Sequence, residues 1–100
     1  MNNRDYIKNI KDIALCLQTM IKTRYGKKVK PIFTSGKYQS VHISFYRSPY
    51  VYQFYVEDRV GYYIVYLLKN EKIVKKDLLK KQELIETFYQ KIMYFFRITN

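Results

Sequence analysis

Tryptophan is absent from the sequence, cysteine and histidine occur once each, and 100 residues contain only 3 glycines and 2 prolines. Each scarcity excludes something. A single cysteine, Cys16, cannot form an intramolecular disulfide, and together with a single histidine, His42, it cannot make a zinc site of the usual four ligands. Few breakers alongside 48% hydrophobic residues exclude a disordered or linker-like chain. No run of about 18 apolar residues is present, so a transmembrane helix is not expected. Met1-Asn2-Asn3-Arg4-Asp5 does not open a signal peptide, because no apolar run follows it. A reducing, cytoplasmic location is the expectation, with Cys16, between Leu15 and Leu17 on a predicted helix, as a buried structural thiol.

Acidic residues are scarce as well. Eight Asp and Glu face 19 Lys and Arg, a net charge of +11. That balance favours a polyanionic partner: nucleic acid, an anionic membrane surface or an acidic protein surface. The abundance of Lys, Ile, Tyr and Asn also matches AT-rich coding, which raises the lysine count without any functional demand. No nucleophile motif, metal motif or Gly-rich phosphate loop occurs. Ser40 and Ser44 flank His42 on one strand face, and Glu57-Asp58 sits in a turn. Neither makes a catalytic set, so the chain is expected to be no enzyme and to need no cofactor or metal.

What the sequence does contain is tyrosine, and most of the 12 lie between residues 38 and 68. There β-branched and aromatic residues alternate with polar ones and turn residues punctuate the runs, the pattern of an antiparallel sheet. Strands are predicted over 27–34, 38–47, 50–57 and 62–68. Pro31 makes the first an edge strand. In the second, Val41, Ile43 and Phe45 point one way, and Ser40, His42, Ser44 and Tyr46 the other. The last is apolar on both faces, which suggests a central or doubly covered strand.

A helix is predicted over 4–25, with Ile7, Ile10, Ile13, Ala14, Leu17, Met20 and Ile21 as its stripe, Asn3 as N-cap, Asp5 in the first turn and Gly26 as stop. A second is predicted over about 76–97, carrying Leu78, Leu84, Ile85, Phe88, Ile92, Phe95 and Phe96. Its end, Ile92 to Phe96, is apolar nearly all round and calls for deep burial or a docked partner. Within it Glu83 would be neutralised by Lys80. The expected fold is therefore a single α+β domain over residues 1–100, in the order α-β-β-β-β-α. It is a four-stranded antiparallel meander with both helices on one face.

Two basic clusters stand out. Lys22, Arg24, Lys27, Lys28 and Lys30 form one, and Lys69, Lys72, Lys75, Lys76, Lys80 and Lys81 the other. With four strands, topology brings both to one pole beside Arg47, and the start of the second helix adds backbone N–H groups suited to phosphate. Lysine outnumbers arginine 14 to 5, favouring diffuse backbone contacts over bidentate base reading. Tyr38, His42, Tyr46, Tyr55 and Tyr63 form a second candidate, an aromatic face for stacking bases or a homodimer surface; ordinary cross-strand packing is the plainer role.

The helix–strands–helix order, with lysines opening the last helix, resembles a double-stranded RNA-binding domain in topology alone. The family's small-residue, Lys-rich helix start is not reproduced in Lys75-Lys76-Asp77-Leu78-Leu79-Lys80-Lys81, and four strands are expected instead of three, so membership is not assigned. The leading expectation is nucleic-acid backbone, RNA or DNA, held at the lysine pole. The alternative is a small viral or mobile-element protein that binds and modulates a host protein complex.

Overall fold

The computed structural model describes residues 6–100, so Asn3 and Asp5, the expected start of the first helix, lie outside the described residues. Helix α1 spans Ile10–Tyr25, and Asn9 caps it: its Oδ1 accepts from the Asp12 backbone N–H at 3.1 Å, while the Asp12 carboxylate accepts from the Lys8 N–H at 2.7 Å. The helix begins later than its periodicity predicts because the preceding residues are claimed by a tertiary pairing. Tyr6 bridges Leu84, and the Ile7 N–H donates to the Glu83 carbonyl at 2.8 Å. Ile7 is nonetheless fully buried, as its place in the stripe requires.

The helix ends at Gly26, which has φ 67° and donates its N–H to the Lys22 carbonyl at 2.8 Å. No atom lies within 4 Å of where a Cβ would stand, so a side chain there meets only backbone strain. Gly26→Ala is expected to cost about 1 kcal/mol, read as a lowered urea midpoint at unchanged slope.

The sheet has five strands, not four: β1 Ile32–Ser35, β2 Gln39–Arg47, β3 Tyr50–Arg59, β4 Tyr62–Lys69 and β5 Lys72–Lys80. They form an antiparallel meander in chain order, an α+β fold. Residues 27–31 lead into β1 without joining the ladder, and the edge position that Pro31 implied belongs to Ile32–Ser35. Three of the four hairpins close through two residues. Ser48-Pro49, with a cis peptide bond, joins β2 to β3; Val60-Gly61 joins β3 to β4; Asn70-Glu71, at φ 49° and 69°, joins β4 to β5. Two successive left-handed residues are what a right-twisted hairpin favours.

β5 replaces the expected start of the second helix. Helix α2 spans only Ile85–Ile98. Leu78 is therefore not on a helical stripe; it is half exposed on the sheet, and Leu79 is buried in its place. Glu83 precedes α2 and pairs with Lys91 at 3.3 Å, not with the Lys80 side chain.

Both helices cover one face. Val41, Ile43, Phe45, Tyr52, Phe54, Val56, Tyr63, Val65, Leu67 and Leu79 meet Ile13, Leu17 and Ile21 of α1 and Phe88, Ile92, Phe95 and Phe96 of α2 in a single core. β4, expected to be either central or covered on both faces, is an interior strand paired on both edges, and it packs Tyr63, Val65 and Leu67 into that core. On its other side Ile64 is buried by its β3 and β5 neighbours, and Tyr62, Tyr66 and Leu68 stay half exposed. Cys16 is buried, and burial pushes its thiol pKa up. No helix of the described residues is long and apolar enough to cross a membrane.

Candidate functional site

The fifth strand sets where the charges lie. α1 ends, β2 ends and β4 ends at one pole; β5 then carries the chain away, and α2 brings it back. The two helices thus run in the same sense and deliver both C-termini to that pole. The Tyr25 hydroxyl meets Thr99 Oγ1, and the Arg24 guanidinium donates to Asn100 Oδ1 at 3.3 Å, tying the last turns together.

This end gathers Lys22 and Arg24 of α1, Lys27, Lys28 and Lys30 after it, Arg47 at the end of β2, Lys69 and Lys72 around the last hairpin, and Arg97 of α2. Its acid is Glu71 in the Asn70-Glu71 turn. The rest of the second lysine cluster does not join it. Lys75 faces the core side, over the Phe95 ring at 5.3 Å. Lys76 lies opposite Tyr66 on the other sheet face, and Lys80 opposite Tyr62 near the far pole. Lys81 sits over the Tyr63 ring at 4.1 Å and is ion-paired with Asp58. The expected meeting of both clusters is corrected accordingly, as is the phosphate-binding helix start: α2 begins at the far pole. The likeness to a double-stranded RNA-binding domain loses its lysine-bearing helix start for the same reason.

Several cations of the basic end are held in place. The Arg47 guanidinium lies 4.1 Å from the Tyr25 ring centroid, and its Nε donates to the Thr99 carbonyl at 3.1 Å. Arg24 sits over Phe96 at 5.5 Å, Lys69 over Tyr50 at 3.8 Å, and Lys27 donates to the Tyr46 carbonyl. Lys22, Lys28, Lys30 and Lys72 are exposed. The ion pairs among the described residues are Glu57–Arg59 at 2.7 Å, Asp58–Lys81 and Glu83–Lys91, all away from this end.

The face of the sheet opposite the helices holds the second candidate. Across its middle run Ile32, His42, Tyr55, Tyr66 and Lys76 as successive cross-strand partners. His42 and Tyr55 have ring centroids 4.5 Å apart, and Tyr55 stacks on Tyr66 at 5.7 Å. Tyr38, beneath the Arg59 guanidinium at 4.1 Å, and exposed Tyr46 flank this row. Tyr63 does not belong to it: only 2% exposed, it lies in the core beneath the helices. Tyr66 and Tyr62 take its place. A two-residue turn at Val60-Gly61 pairs odd positions of β3 with even positions of β4, a parity that was readable from the turn itself.

Several polar groups of this face satisfy one another. Gln53 Nε2 meets His42 Nδ1 at 3.2 Å, and Thr34 Oγ1 meets Ser40 Oγ at 2.5 Å. Tyr55 donates to Glu57 Oε2 at 2.6 Å and Arg59 Nε to Glu57 Oε1 at 2.9 Å. Burial alone would raise the Glu57 pKa, but these hydrogen bonds and the Arg59 charge together hold it below the ordinary value. Burial and the bond to Glu57 push the Tyr55 hydroxyl up. A cleft of about 330 Å³ beside the β1–β2 turn is lined by Lys37, Tyr38, His42, Tyr55 and Glu57 among others. No cluster of three or more His, Cys, Asp or Glu that could hold a metal occurs among the described residues. No protein-family model matches the chain, and no curated protein or solved structure is found to be similar to it.

Proposed function

We propose that this chain is a non-enzymatic binding protein that holds nucleic-acid backbone at its basic end, with little reading of base sequence. The observation that carries the reading is charge separation. Lys22, Arg24, Lys27, Lys28, Lys30, Arg47, Lys69, Lys72 and Arg97 share an end whose acid is Glu71, while Glu57, Asp58 and Glu83 are ion-paired elsewhere. Two helix C-termini also converge there, and each contributes about half a negative charge. That offsets only a small part of the positive total and accounts for some of the last-turn cations without needing all of them. Arg24, Arg47 and Lys69, lying against rings, form a preorganised floor, and the exposed Lys22, Lys28, Lys30 and Lys72 supply the outer contacts. Lysine ammonium groups act as point charges toward phosphate and carry little base specificity.

A titration of duplex and single-stranded RNA and DNA against salt tests this. If four phosphates are neutralised, log K should fall against log salt with a slope of about −3.6 for duplex. Indifference to base composition is expected. Absence of any complex with RNA or DNA at low salt rejects the reading, and binding to an acidic protein surface alone would reassign the same end.

A further inference from the structure

We infer that the open face of the sheet pairs with the same face of a second copy of this chain. The inference is independent of the nucleic-acid reading and rests on the make-up of the face. Ile32, Tyr46, Val51, Ile73 and Leu78 are each about half exposed or more, from 49% to 62%, and they surround half-buried His42, Tyr55, Tyr66 and Leu68. The register puts all of them on the side away from the helices. Charge is confined to the margins: Lys76 and Lys80 on β5, Lys27 over the Tyr46 ring, Lys37 beside the β1–β2 turn, and the internally paired Glu57 and Arg59 toward one end. The middle, Ser44-Gln53-Leu68 and His42-Tyr55-Tyr66, carries no ionised carboxylate, lysine or arginine.

Charge argues for a second copy over a charged partner. Two chains of +11 repel, and they can approach closely only through the surface where cations are sparsest. The middle of this face, without lysine or arginine, is such a surface. It presents no unpaired charge at its centre that calls for an oppositely charged partner, and half-exposed tyrosines suit an interface that is partly wet.

The sheet edges are closed to the alternative of strand addition. β5 carries Lys72, Lys75, Lys76 and Lys80 and has a bulge between the Leu67–Lys75 and Leu68–Ile73 pairs; β1 is only 4 residues long. Area is adequate. Four strands of about nine residues span roughly 19 by 30 Å. Each copy then offers roughly 600 Å² and the pair about 1,200 Å², at the lower limit of stable interfaces.

Symmetry and charge fix the orientation. A face-to-face pair has its two-fold axis in the plane between the sheets. An axis along the strands would set the two basic ends side by side. An axis across the strands keeps the two basic ends apart, each beside its partner's opposite pole, where Glu57, Asp58 and Glu83 are already ion-paired with Arg59, Lys81 and Lys91, and this lower repulsion is what the charge selects.

Light scattering on the isolated chain, from about 5 to about 500 µM in about 0.3 M salt to screen repulsion, tests the pairing. The mass should rise from 12.3 kDa toward twice that value. The double substitution Ser44→Lys, Ile73→Lys, at two positions exposed in a single copy, should keep the circular dichroism of the parent and stay at 12.3 kDa throughout. A parent that remains monomeric overturns the inference, including the case in which a different protein covers the face. So does a variant that dimerises like the parent. Should the variant fail to fold, amide shifts of the parent on dilution decide: they should concentrate at Ser44, Gln53, Leu68 and Ile73, and shifts confined to α1 or α2 overturn it.

Discussion

Reversing Lys22, Lys28 and Lys72 to Glu should lower affinity for a duplex by about a hundredfold or more near 0.1 M salt and flatten the salt slope by nearly 3. Each of these side chains is exposed and free of an ion pair among the described residues, so its removal should change stability by no more than about 0.5 kcal/mol. They come from three separate segments, the last turn of α1, the connection after it and the start of β5. A joint effect therefore reports on the assembled end and not on one lysine-rich peptide. Reversing Lys8, Lys11 and Lys80 makes the comparison, because it removes the same charge from the chain at positions outside that end. A smaller loss with the second set places the contacts at the basic end. Equal losses would mean that net charge, wherever it sits, is all that binds. Isothermal titration or fluorescence anisotropy at several salt concentrations reads both the affinity and the slope.

The fold was largely legible because local signals agreed with global packing over most of the chain. Val41-Ile43-Phe45 and Tyr52-Phe54-Val56 alternate, and both sets are buried. Ile13, Leu17 and Ile21 recur at helical spacing and are fully buried. The failure at β5 has a physical origin. A strand at a sheet edge is protected by charge, and Lys72, Lys75, Lys76 and Lys80 supply it. Those lysines, next to paired leucines, read as the polar side of a helix. The bulge after Ile73 adds to the confusion by breaking the two-residue alternation. Asn70 was the available signal: a left-handed asparagine between Leu68-Lys69 and Lys72-Ile73-Val74 is a hairpin turn, not the entry to a helix.

That one strand decided how much of the basic site could be read. An even strand count places Lys75 to Lys81 beside Lys22 to Lys30; five strands send them along the edge to the far pole. The basic end persists because an odd count also reverses α2, so its C-terminal Arg97 arrives where its N-terminus was expected. Arg97 was not anticipated for this reason. The stacking of Arg47 on Tyr25 and of Lys69 on Tyr50 depends on packing between elements distant in sequence, and no local pattern encodes it.

Phe54→Ala should be the most damaging single truncation, costing about 3–5 kcal/mol. Phe54 lies on β3, the central strand of the five, is fully buried, and touches the rings of Phe45, Phe95 and Phe96 at centroid distances of 6.0, 6.0 and 5.5 Å. Its removal leaves a void bounded by sheet on one side and the end of α2 on the other, which cannot close without moving one of them. Against a total of about 5–15 kcal/mol for a domain of this size, the loss is a large fraction, and the melting temperature should fall by roughly 15–30 °C. Phe33→Ala, at 46% exposure on the short strand β1, removes the same atoms where water already reaches them and should cost far less. The effect on binding follows from what Phe96 supports. It packs beneath Tyr25 and Arg24, and Tyr25 seats Arg47. The Phe54→Ala protein should therefore lose nucleic-acid affinity at urea concentrations where the parent still binds. The loss should track unfolding seen by circular dichroism. Retained binding after the tertiary signal is gone would mean that the cations act as an unstructured polycation and that the floor of stacked arginines contributes nothing.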